Sequence, residues 1–286
     1  VPSLQSAHHG RTLCFFTRGR LPRLVAEVGG HELMKVLVTG AAGYIGSIVA
    51  RDLETAGHHV RGVDFRPMPD LEDTRVIDLS DADAIDEGLV GVDAVSHLAW
   101  PMGQWKEARL GDNSDLGAGV RGLYHILSCC VRHGIKRVVF QSTINITGPS
   151  WDSWRITEDE TPRPGTQGYT LGKTLAEDLC RSFARCHDMT IAAIRVGGVF
   201  TFEADGHGGG PDVHYLPSSC VERRDIAQAH ELCLTKMLPS RFEVFHIFHD
   251  RPGSRFPIDK AKRILGYQPR FNWDELWRQR AQGANG

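Results

Sequence analysis

The run Val36-Leu37-Val38-Thr39-Gly40-Ala41-Ala42-Gly43-Tyr44-Ile45-Gly46 constrains the fold of this chain more than any other stretch. A short apolar strand is joined to a helix through glycines three residues apart. Gly40 permits the tight bend after the strand, Gly43 lets the backbone approach a bound group without a Cβ in the way, and Gly46 lets the helix pack closely on the sheet. The free N–H groups at that helix start, with the positive end of the helix dipole, suit an anion such as a pyrophosphate. Taken alone, the pattern also fits an ordinary glycine-bearing turn, so its neighbours must decide.

From Met34 onward, apolar strands alternate with amphipathic stretches of helix length. This is the pattern of a parallel sheet covered by helices on both faces. Strands are expected over Lys35 to Thr39, His59 to Asp64, Arg75 to Ile77, Ala94 to Leu98, Arg137 to Gln141 and Thr190 to Val196. Helices are expected near Tyr44 to Thr55, Ala82 to Leu89, Gly119 to Arg132 and Tyr169 to Arg185. The fold class is therefore α/β, a doubly wound parallel sheet of the Rossmann type, whose ligand crevice lies beyond the carboxyl ends of the strands. After Phe200 the pattern weakens, and Asp205 to Pro211 is glycine-rich. Residues 34–200 thus read as a dinucleotide-binding domain and 201–286 as a small C-terminal α/β substrate lobe, with a helix over Arg223 to Thr235, a strand over Glu243 to Phe248 and a helix over Ile258 to Leu265. Residues 1–33 carry Arg11, Arg18, Arg20 and Arg23 with no acidic residue before Glu27. They read as a floppy or non-native extension, or else as an organellar transit peptide.

Composition excludes several classes. A net charge of -2 supplies no basic field for nucleic acid. No apolar run approaches the roughly 20 residues that span a bilayer. The seven cysteines include no Cys-x-x-Cys pair, so neither a metal site nor a disulfide framework is expected, and a reducing cytoplasm fits best.

Three further features carry chemistry. Asp64 ends the second strand, where a carboxylate can accept hydrogen bonds from the ribose hydroxyls of a dinucleotide and repel a 2′-phosphate. NAD is expected, with NADP left open by Arg66. Tyr169 and Lys173 are four residues apart, one above the other on a helix face. An ammonium there lowers the pKa of the phenol, so that the pair can move a substrate hydroxyl proton. The stripe Leu171, Leu175, Leu179 and Phe183 is read as the apolar face of that helix, with the pair pointing the other way. Ser142-Thr143 follows the fifth strand, where a hydroxyl can hydrogen-bond a substrate oxygen as charge shifts.

With these motifs in this order, the sequence from about Met34 to Phe271 resembles the extended short-chain dehydrogenase/reductase family, the nicotinamide-dependent epimerases, dehydratases and sugar dehydrogenases. The resemblance makes Tyr169 the general acid/base and Lys173 the group that lowers its pKa and holds the nicotinamide ribose. Thr143 takes the place of the catalytic Ser/Thr. It assigns the cofactor to Gly40, Gly43, Tyr44, Ile45, Gly46 and Asp64, with Asp78 and Leu79 at the adenine edge and His97, Leu98 and Ala99 on the crevice wall. It also implies a homodimer formed through helices like the one bearing Leu175, Leu179 and Phe183. Two departures stand out: Gly119 where the family commonly has Asn, and Thr147 where it often has Tyr.

Within the family, compact uronate dehydrogenases are similar around Ser142-Thr143-Ile144-Asn145 and Ile194-Arg195-Val196-Gly197. By that likeness Thr143, Asn145 and Arg195 bind substrate, with Arg195 either gripping a sugar-acid carboxylate or holding the strand end structurally. Trp100, Trp105, Trp151 and Trp154 either wall the crevice or pack its loops. His207 and His214 lack partners at metal-ligand spacing and read as solvated. The expected activity is epimerase- or dehydratase-like hydride transfer on a sugar. The alternatives are a sugar-acid dehydrogenase and a non-catalytic nicotinamide-binding redox sensor.

Overall fold

A computed structural model describes residues 27–28, 31–101, 115–152, 155–201 and 219–274. Two-residue strands Glu27–Val28 and His31–Glu32 pair antiparallel ahead of the main sheet. The chain then runs through β1 (Lys35–Thr39), α1 (Gly46–Thr55), β2 (His59–Asp64), β3 (Asp73–Val76), α2 (Ala82–Gly88) and β4 (Ala94–His97). A π-helical turn, Asp115–Val120, leads into α3 (Arg121–His133), followed by β5 (Arg137–Thr143), a 3₁₀ segment (Ile144–Asp152), α4 (Gly168–Cys186) and β6 (Thr190–Val196). The last elements are β7 (Gly198–Phe200), β8 (Cys220–Glu222), α5 (Arg223–Thr235), β9 (Phe242–His246) and α6 (Asp259–Leu265).

Seven strands form one sheet in the order β9-β6-β5-β4-β1-β2-β3, every pair parallel. The order reverses between β1 and β4, the switch point at which such sheets bind ligands. Alternation along β1 explains the two layers. Val36 and Val38 join a core with Val49 and Leu53 of α1 and Ile226 of α5, whereas Leu37 joins the opposite core with Leu123 and Leu127 of α3 and Ala176 of α4. Both faces are apolar because both are covered.

The sequence reading is corrected after residue 200. Phe242–His246 pairs with β6 as the edge strand of the main sheet, and α5 packs with α1 in the same core. The segment read as a separate lobe thus returns one strand and one helix to the dinucleotide-binding layer. The weak pattern concealed this, because β9 is short and pairs on one side only. No helix among the described residues is long and apolar enough to cross a membrane. Residues 1–26 and the glycine-rich loop at 205–211 lie outside the described residues, as do Trp105, Trp154, His207 and His214.

Candidate active site

The turn after β1 is built by the three glycines in a specific way. Gly40 has φ +72°, and a Cβ on it would come within 2.8 Å of the Ala99 nitrogen. At Gly46 a Cβ would stand 2.0 Å from the Gly40 carbonyl oxygen, and at Gly43 2.9 Å from the same atom. The absent Cβ at Gly43 therefore serves the closure of the turn itself, where its N–H donates to that carbonyl at 2.8 Å. Ile45 is the N-cap of α1, and the Tyr44 hydroxyl lies 2.6 Å from Thr201 Oγ1. This cradle, open at a helix start and closed to any side chain, fits the pyrophosphate of a dinucleotide.

Asp64, buried at the end of β2, ties the cradle to its neighbour strand. Its Oδ2 accepts from the Ala42 N–H at 3.1 Å, and its Oδ1 accepts from the Arg66 N–H and Nε at 3.0 and 3.3 Å. A carboxylate has about four acceptor sites, so capacity for a ribose hydroxyl remains. On the adjoining strand end, Asp78 Oδ1 accepts from the Ser80 N–H at 2.8 Å, which holds its carboxyl below the usual range, and Leu79 packs against Gly122 of α3.

Thr39 fastens the loop after β4. Its Oγ1 accepts from the Leu98 and Ala99 N–H groups, both at 3.1 Å, and lies 2.8 Å from His97 Nδ1. With both lone pairs used, the hydroxyl proton is donated to Nδ1, so the neutral imidazole carries its own proton on Nε2. Burial, and secondarily the Lys173 charge, push this histidine down to about 3, so it is neutral at pH 7. His97 Nε2 has no hydrogen-bond partner among the described residues.

The pair Tyr169 and Lys173 lies one turn apart at the start of α4, with Tyr169 half-buried and Lys173 3% exposed. Lys173 Nζ donates to the Gln141 carbonyl at 2.7 Å and stands 4.0 Å from the Trp100 ring centre and 4.8 Å from that of Phe140. Thr143 ends β5 and is buried; its Oγ1 donates to the Val196 carbonyl at 3.5 Å and accepts from the Asn145 N–H at 3.2 Å. Asn145 is half-buried in the 3₁₀ segment that follows. Thr143, Tyr169 and Lys173 thus come from the carboxyl end of β5 and the start of α4, beside the glycine turn and the β4 loop.

One expectation is overturned here. The buried face of α4 carries Thr170, Lys173, Ala176, Glu177, Cys180 and Ala184, whereas Leu175 is 43% exposed and Leu171, Leu179 and Phe183 are only half-buried. The helix turns its polar side to the sheet because every polar group there finds a partner. Of the two roles left open for Arg195, the geometry supports the structural one. Its Nε and Nη2 donate to Glu177 Oε1 and Oε2 at 3.0 and 2.8 Å, Ser142 Oγ donates to Oε1 at 2.6 Å, and both charged residues are 1% exposed. The guanidinium is engaged in this buried pair through both Nε and Nη2. Removing one partner of such a pair strands the other charge. Glu177→Gln is expected to lower stability by about 3–5 kcal/mol in denaturant unfolding.

Sequence reasoning missed the residues beneath the site. Gln141 Nε2 donates to the Ser142 and Ile194 carbonyls, and its Oε1 accepts from His230 Nε2 at 3.0 Å. His230 Nδ1 in turn lies 2.7 Å from Ser96 Oγ. His230 lies 89 residues from Gln141 and 134 from Ser96, and no local spacing announces them. Among the described residues no cluster of His, Cys, Asp and Glu side chains is placed to hold a metal ion.

Residues 36–214 match the model of the NAD dependent epimerase/dehydratase family. The chain belongs to that family. A uronate dehydrogenase of Pseudomonas syringae pv. tomato is 31% identical over 170 residues, covering 58% of this chain and 60% of that protein. The chain therefore matches less than two thirds of that relative's length. An NAD-dependent glucose-6-phosphate dehydrogenase of Haloferax volcanii is 25% identical over 266 residues, covering 84% and 95%. Among solved structures, a mutated uronate dehydrogenase superposes with TM-score 0.74 at 26% identity, covering 88% of this chain and 86% of that one. NAD is accordingly the cofactor of this family, and the glycine cradle fits it.

Proposed function

We propose that this protein is an NAD-dependent enzyme acting on a sugar or sugar derivative, with Tyr169 as acid/base. Bound NAD would take up or return a hydride, and the protein's part is to bind, orient and move the proton. The observation that carries this reading is Tyr169 and Lys173, stacked at the start of α4 beside a cradle that only glycines can form. Gly40, Gly43, Tyr44, Ile45 and Gly46 would hold the pyrophosphate, Asp64 the adenosine ribose, Asp78 and Leu79 the adenine edge, and Leu98 and Ala99 the crevice wall. Lys173 would hold the nicotinamide ribose and favour the phenolate of Tyr169. Thr143 would steady the reacting oxygen and Asn145 would contact the substrate.

Epimerase- or dehydratase-like chemistry is the main reading. A second, simple oxidation of a sugar acid or sugar, is favoured by the uronate and glucose-6-phosphate dehydrogenases among the relatives. A panel of sugars, sugar phosphates and uronic acids with NAD separates them: accumulating absorbance of reduced NAD marks a dehydrogenase, and altered product stereochemistry without it an epimerase. Measured NAD affinity with no turnover across the panel would instead support the sensor.

Asp64 also governs the choice of dinucleotide in this reading. Asp64→Asn removes the charge that repels a 2′-phosphate and releases Arg66 to meet one. The ratio of NADP to NAD affinity is expected to rise about 10- to 100-fold, as a charged hydrogen bond is worth about 1.5–3 kcal/mol. An unchanged ratio in calorimetric titrations would sink the assignment.

A homodimer belongs to the same reading, supported by an outward apolar strip. Leu175 is 43% and Tyr124 52% exposed, and Tyr124 meets Phe183 edge-to-face at 5.9 Å. Mass in solution tests it, and a monomer at micromolar concentration would count against it. Cytoplasmic location is likewise proposed; burial holds the Cys130, Cys180 and Cys233 thiols in their protonated form, which suits a reducing compartment.

A further inference from the structure

The departure at Gly119 has a physical counterpart in the structure. A Cβ there would come within 2.8 to 2.9 Å of Cζ2, Cε2 and Cη2 of Trp100. The space that a side chain would need at this position is taken by the edge of an indole from the β4 loop. Gly119 is buried and lies in the π-helical turn Asp115–Val120, an irregularity frequent at functional sites.

The same indole covers Lys173. The ring centre is 4.0 Å from Nζ, Phe140 flanks the ammonium at 4.8 Å, and the two rings meet at 6.2 Å with a 58° tilt. The Gln141 carbonyl binds the ammonium as well, and the lysine is 3% exposed. An ammonium in this position reaches no ligand until a ring moves. Phe140 is a fully buried strand residue stacked on His97, whereas Trp100 is half-buried on the loop. Of the two rings, Trp100 is the less enclosed.

We propose that Trp100 is a cap on Lys173: seated in the space left by Gly119, it covers the ammonium and must swing aside before Lys173 can hold the nicotinamide ribose. This rests on the reading above that Lys173 binds that ribose. A desolvated cation–π contact is strong enough to matter, and a site whose competent state is only part-populated binds its ligand more weakly in proportion. The cap would set NAD affinity through the nicotinamide half alone, leaving the adenosine half untouched.

The test is calorimetric titration of the full chain with NAD and with ADP, which lacks the nicotinamide riboside. Trp100→Ala is expected to bind NAD about 2- to 30-fold more tightly, the range a cation–π contact spans, with ADP affinity unchanged. Gly119→Ala, which keeps the indole but pushes its edge off the seat, is expected to shift NAD in the same direction and guards against a folding defect in the first variant. In a Lys173→Met background, itself weaker for NAD, Trp100→Ala is expected to have no further effect. Unchanged or weakened NAD binding in both single variants overturns the cap, as does equal tightening with or without Lys173 or an equal gain for ADP. Lys173→Met with undiminished NAD affinity overturns instead the reading that this lysine holds the ribose.

Discussion

Tyr169→Phe is expected to lower turnover by about 10²–10⁴-fold, the usual contribution of a positioned acid/base, while NAD affinity stays within about twofold. The variant removes one oxygen and leaves the ring, the helix and Lys173 in place. Tyr169 is the second residue of α4, so its side chain leaves the helix where the backbone N–H groups are unpaired and the dipole is positive. Loss should appear in kcat and in kcat/KM alike, since the proton transfer is made in the transition state. Steady-state kinetics on whichever sugar the panel identifies would measure it, with NAD titration as the control. Full turnover in the variant would remove Tyr169 from the acid/base role.

Acidification is expected to destabilise the protein steeply between pH 6.5 and 4. His97, His230 and His246 are fully buried, and desolvation pushes each down to about 3 from an ordinary 6.5. In the folded state they stay neutral, whereas the unfolded chain takes up their protons below pH 6.5. Their contribution is therefore present above that pH and lost as pH falls toward 3, at about 1.4 kcal/mol per unit per histidine. Asp225 acts in the opposite sense. Burial raises it to about 6, so the folded state binds its proton first and gains stability as pH falls from 6 toward 3.8; Glu158 is raised as well. Between pH 6 and 5 the balance is about two extra protons on the unfolded chain, or roughly 2.7 kcal/mol per unit. Tm should drop by about 5–10 °C per unit there. Thermal unfolding from pH 7 to 5 measures it, and His230→Asn should roughly halve the slope. A flat profile would show that these histidines are not held neutral.

The legible parts of the molecule were those whose cause is local. The glycine spacing dictated a turn that no Cβ can enter, and the strands ending in Thr39, Asp64 and Val196 could be read to the residue because turns and acidic ends punctuate them. Tyr169 and Lys173 were legible because one helical turn is enough to stack them. The face that α4 buries was not, because apolar periodicity ranks Leu171, Leu175 and Leu179 above Lys173 and Glu177 for burial, and the order reverses only when Gln141, Ser142 and Arg195 are present to satisfy the polar side.

Sequence alone determined the alternating elements of the doubly wound layer, the glycine turn and the one-turn spacing of Tyr169 and Lys173, since each element or motif is set by its own local residues. Tertiary structure decided what surrounds them. It joined Arg195 to Glu177, closed the sheet with Phe242–His246, and laid Trp100 into the hollow of Gly119 over the ammonium of Lys173. Each of those depends on partners brought from distant segments, and a buried charge takes its role from whatever partner packing brings within 3 Å.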